Sequence, residues 1–101
     1  MLEEELKIGL SLIEKEFEIE LNARNLADLE SALCSEIIRL MLHSSEKLWH
    51  ILYRIDVNET KVKALFQNSD PKSIAPGISR LIIERILQKA KTRLAYREGR
   101  L

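Results

Sequence analysis

A chain of 101 residues is enough for one small domain and too short for a two-domain enzyme. Its 46% hydrophobic and 32% charged residues exclude a disordered chain, and sixteen bases against sixteen acids leave no bulk charge to select a polyanionic or polycationic partner. The single cysteine excludes an internal disulfide and a multi-cysteine zinc site.

Met1-Leu2-Glu3-Glu4-Glu5 carries acids where a secretory signal carries bases, and no apolar run reaches membrane-spanning length. A cytoplasmic protein without a membrane segment is expected. The first helix is predicted over about residues 2–21, because Leu6, Leu10, Ile13 and Phe17 recur at helical spacing. Within it, Phe17-Glu18-Ile19-Glu20-Leu21 alternates with period two, but such a strand has no second strand to pair with. From Gly9 to Pro71 the chain contains neither glycine nor proline in between, so helices with short joints are expected.

Asn22 or Asn25 caps the second helix, whose stripe is Leu26, Leu29, Leu33, Ile37 and Leu40. The run Cys34, Ile37, Met41, Ser44, Leu48, Ile51, Ile55 would allow one helix of about 30 residues. Ser44-Ser45 followed by Glu46 favours a break there instead. Asp56-Val57-Asn58 ends the third helix and starts a fourth, which runs to about Gln67. Asn68-Ser69-Asp70-Pro71 is a turn, and the last helix begins between Pro71 and Pro76 and continues to about Arg97. The fold expected is all-α: one domain over residues 1–101, a bundle of about five helices with a long C-terminal one.

Charge is divided along the chain. Residues 1–36 hold ten acids and three bases, so the remainder is basic by the same margin. An acidic and a basic surface sharing one molecule is the expected arrangement, with the alternative that each addresses an outside partner.

From Ser45 to Arg97 the chain resembles a group of small uncharacterised bacterial helical proteins. The resemblance rests on Leu52-Tyr53-Arg54-Ile55-Asp56-Val57-Asn58-Glu59, on Leu81-Ile82-Ile83-Glu84-Arg85, and on Gln88-Lys89 and Thr92-Arg93. It implies a cytoplasmic helical protein and carries no catalytic residue; the acidic first 36 residues lie outside it.

Candidate chemistry is sparse. His43, Glu46 and His50 share a helix face if the helix is unbroken, but the histidines are then about 10.5 Å apart along the axis, too far to share a zinc ion bound at about 2.0–2.2 Å. Cys34 sits on an apolar stripe as a small hydrophobe. No GxGxxG, Walker A, HExxH or GxSxG string occurs, so no enzyme, cofactor or metal is expected. Trp49 and Tyr53, one turn apart, are expected in the core as an aromatic pair, with the alternative that, if exposed, they anchor a partner.

The last helix is apolar on two sides. Ile74, Ile78, Leu81 and Ile82 project to one side, and Ile83, Ile86, Leu87, Ala90 and Leu94 to another roughly 150° away. Either the helix runs through the middle of the domain, wrapped by the others, or its second half projects and is buried by another chain. Because the rear half is hard to cover with so short a chain, the second set is expected to form an interface with a second copy, as in a homodimer, or with a protein partner. Arg85, Lys89, Arg93, Arg97 and Arg100 form a basic stripe along the same half, the alternative site for nucleic acid or another polyanion. The reading is a non-enzymatic helical interaction protein.

Overall fold

Five helices follow in the order set by the caps and joints: α1 (Leu2–Phe17), α2 (Leu26–His43), α3 (Ser45–Ile55), α4 (Glu59–Asn68) and α5 (Pro71–Arg97). The computed structural model describes residues 2–68 and 70–99, with side chains for all of these except 2, 3, 68 and 71. Among the described residues there is no strand, and α5 is the long C-terminal helix expected.

α1 ends four residues earlier than its hydrophobic spacing predicts. Glu18 takes a left-handed conformation (φ 58°), and the Ile19 N–H reaches back to the Glu14 carbonyl at 3.2 Å. The Glu14 carboxylate also accepts the Leu21 N–H at 2.8 Å, so the segment after Phe17 is folded back against the helix rather than continuing it. The period-two pattern there is a loop with Leu21 buried, Ile19 half-buried, and Glu18 and Glu20 exposed.

The second helix is capped by Asn25, whose side chain accepts the Asp28 N–H. The break falls at Ser44, a single residue between α2 and α3, whose side chain makes no capping bond. α3 ends on Asp56 in the left-handed region (φ 67°), with the Asp56 and Val57 N–H groups bonded to the Tyr53 and Leu52 carbonyls. Asn58 caps α4 by accepting the Lys61 N–H, and Asp70 caps α5 by accepting the Ser73 N–H. α5 starts at Pro71 and carries Pro76 within it, in its second turn, where the missing N–H gives up an intrahelical bond.

At 27 residues α5 is about 40 Å long, close to the 42 Å longest dimension of the molecule. It touches each of the other four helices. Its first half meets α4 at Gly77, where a β-carbon would lie 2.6 Å from a methyl of Leu65, and meets α2 where the buried Ser79 hydroxyl faces the Glu30 carbonyl at 3.5 Å. Its second half is covered by α1, which runs antiparallel to it: Gly9 packs on Ile86 and Leu87, and Glu4 lies beside Arg97.

The core gathers Ile13 and Phe17 of α1, Leu29, Leu33, Ile37 and Leu40 of α2, Leu48, Ile51, Leu52 and Ile55 of α3, Val62 of α4, and both apolar sides of α5. Ion pairs tie the acidic start to the basic remainder at Glu4–Arg97 (2.9 Å) and Glu16–Arg54 (3.7 Å). No described helix is long and apolar enough to cross a membrane.

Candidate functional site

The row Ile83, Ile86, Leu87, Ala90 and Leu94, expected to face another chain, is instead interior. Ile86 is 2% exposed and Leu94 3%, Ile83 and Ala90 are buried, and Leu87 is half-buried. The covering surface is the stripe of α1, in which Ile13 and Phe17 are buried and Leu6 and Leu10 pack against the core. Gly9 makes this possible, because the absence of a side chain lets the α1 backbone approach Ile86. The apolar surface of α5 is therefore matched largely within one molecule: Ile83, Ile86, Ala90 and Leu94 are not an available contact surface, and Leu87 alone of the five is partly open to solvent.

The basic stripe is on the surface but partly neutralised. Arg85 donates to Gln88 Oε1 at 3.0 Å and to Asp56 Oδ2 at 3.5 Å, while Arg97 donates to Glu4 Oε1 at 2.9 Å. Lys89 is half-buried and Arg93 exposed; Arg100 lies outside the described residues. Tyr96, 76% exposed, projects between Arg85 and Lys89 on the helix circumference.

Trp49 and Tyr53 do not join the core. Trp49 is 38% exposed and Tyr53 87%. Leu48, Ile51, Leu52 and Ile55 already make a complete inward stripe on α3, and at 100° per residue Trp49 and Tyr53 fall more than about 100° from its centre. That projection was the signal in the sequence that marks them as surface residues. Trp49 rests on Phe66 of α4, with ring centroids 5.6 Å apart and planes tilted by 30°. The large aromatic of the interior is Phe17.

These rings stand at an open cavity of about 720 Å³ at the corner where α3 turns into α4. Its floor is apolar, from Leu52, Val57 and Val62, and Trp49 and Tyr53 form one wall. Charged and polar groups line the rest: His50 and Arg54 from α3, Asp56 and Asn58 from the joint, Glu59 from the first turn of α4. The left-handed Asp56 and the Asn58 cap are what fold the chain sharply enough to open this corner. Arg54 is steadied by the Glu16 carbonyl and carboxylate of α1, at 3.1 and 3.7 Å. The volume and the apolar floor with a few polar groups are typical of binding clefts.

His43, Glu46 and His50 are exposed. Among the described residues no three His, Cys, Asp or Glu side chains converge to hold a metal ion. Cys34 is half-buried in a shallow recess of about 270 Å³ with Ser79 and Arg80. No protein-family model, curated protein or solved structure matches the chain.

Proposed function

We propose that this chain is a non-enzymatic interaction protein whose contact surface is the aromatic corner between α3 and α4. The observation that carries the reading is Tyr53, 87% exposed beside Trp49 at the mouth of the cavity. Burying such a ring gains roughly 1.5–3 kcal/mol before the costs of association are counted. Tyr, Trp and Arg are the residues that most often dominate binding energy, and Tyr53, Trp49 and Arg54 line one groove. An apolar floor rimmed by polar side chains has the anatomy of a recognition surface. Affinity capture from cells with the wild-type chain and with Tyr53→Ser tests the reading. A binding species retained by the first and lost from the second is expected; identical retention by both contradicts it.

A second reading, polyanion binding along α5, is favoured by the exposed Tyr96 ring one helical turn on from the exposed Arg93. Each phosphate of a single strand neutralised there steepens the slope of log affinity against log salt by about 0.7. Weaker binding by Arg93→Ala with a shallower slope is the expected result; absence of binding by the wild type at low salt removes the reading.

A further inference from the structure

We infer that the occupant of the α3–α4 groove is a second copy of this chain, docked about a two-fold axis through the aromatic corner. The inference rests on the reading of that corner as a contact surface and goes on to identify what fills it.

Charge decides among occupants. The groove carries both signs within one short stretch: Arg54 on the last turn of α3, Asp56 at the joint and Glu59 at the start of α4. A polyanion entering it meets two carboxylates, and a polycation meets the Arg54 guanidinium. A partner with both signs at matching spacing meets neither repulsion, and a copy of the same surface has that property. In an isologous contact, residue i of one copy meets residue j of the other and the reverse, so one favourable pairing occurs twice. Setting Arg54 of each protomer against Glu59 of its partner satisfies this rule.

The present partners of these charges do not prevent it. Glu59 pairs with Lys63 at 3.2 Å, an exposed pair that exchanges readily, whereas Arg54 keeps its 3.1 Å bond to the Glu16 carbonyl, and its half-exposed guanidinium, 3.7 Å from the Glu16 carboxylate, has further N–H groups to offer a partner. Sixteen bases and sixteen acids give each copy zero net charge, so no long-range repulsion opposes the approach of two copies.

The exposed surface is adequate for the centre of such a contact. Tyr53, Trp49 and Phe66 together present roughly 250–400 Å² of aromatic area, between a third and a half of the about 800 Å² per partner in a standard interface. The rest comes from the polar rim that surrounds them. The tilted Trp49–Phe66 pair fixes one wall in place, so little ordering is needed when the second copy arrives.

Sedimentation of the full chain across a concentration series tests the inference, with far-UV circular dichroism verifying that each variant is folded. The wild type should show a reversible monomer–dimer equilibrium. Tyr53→Ser, Arg54→Glu and Glu59→Arg should each shift it to monomer, since all three side chains are exposed and their replacement leaves the core intact. Mixing Arg54→Glu with Glu59→Arg should restore a dimer, because both cross-pairs then join opposite charges. A chain that stays monomeric, a dimer unmoved by these substitutions, or monomeric variants that the mixture does not restore to a dimer, overturns the inference. If the chain is monomeric while Tyr53→Ser still abolishes capture from cells, only the identity of the occupant fails; if capture is also unchanged, the contact-surface reading fails with it.

Discussion

The backbone of Gly9 lies against Ile86: a β-carbon placed on Gly9 would sit 3.2 Å from Ile86 Cγ2, tighter than an ordinary van der Waals contact. This single approach brings α1 down onto the second apolar side of α5 and turns a surface that would otherwise need another molecule into interior.

Gly9→Val therefore pushes α1 away from α5. Overpacking of this kind costs about 1–3 kcal/mol, less the few tenths that a valine regains in helix propensity over glycine. The urea midpoint should fall with the slope unchanged; an unchanged midpoint would mean that α1 does not pack at Ile86.

Ile86→Ala removes a buried side chain and should cost about 2–5 kcal/mol. Because Ile86 is covered by α1 rather than by a second copy, this variant should lower the thermal midpoint without changing the association measured by sedimentation at a temperature where it remains folded.

At the aromatic corner, stability and binding should separate. Tyr53→Ala should alter stability by no more than about 0.5 kcal/mol, as for other surface positions. Trp49 and Phe66 hold each other, and a double-mutant cycle with Trp49→Leu and Phe66→Leu should give a coupling of about 0.5–1.5 kcal/mol in chemical denaturation.

The Glu4–Arg97 bridge joins the acidic first helix to the basic last one, but both side chains are more than half exposed. Its coupling in a Glu4→Gln, Arg97→Gln cycle should be about 0.2–1 kcal/mol and should fade as salt is raised. A larger, salt-insensitive value would show that the pair is desolvated.

Glu18 is exposed in the left-handed region, where an L side chain is disfavoured. Glu18→Gly should raise the denaturation midpoint by up to about 1 kcal/mol in stability, the relief of backbone strain outweighing the added freedom of the unfolded chain.

Helix number and joints were legible in the residues because caps and breakers act over three or four positions. Asn25, Asn58 and Asp70 accept backbone N–H groups where their side-chain chemistry predicts, and the chain breaks at Ser44 where a cap was expected although the serine side chain does not supply the bond. The end of α1 was less legible, since the left-handed Glu18 and the reach of Glu14 to Leu21 leave no mark in hydrophobic spacing. Two apolar sides on the last helix were also readable, but not their cover: whether Ile83 and Leu94 face a neighbouring molecule or α1 depends on how closely two backbones sixty or more residues apart can approach, and Gly9 sets that distance. The same holds for Trp49 and Tyr53. Local pattern shows that they share a face of α3, while the packing of Leu48, Ile51, Leu52 and Ile55 into the core decides that this face looks outward. Hydrogen bonds between near neighbours are specified by adjacent residues, whereas burial is a property of the whole arrangement, and only the assembled helices determine it.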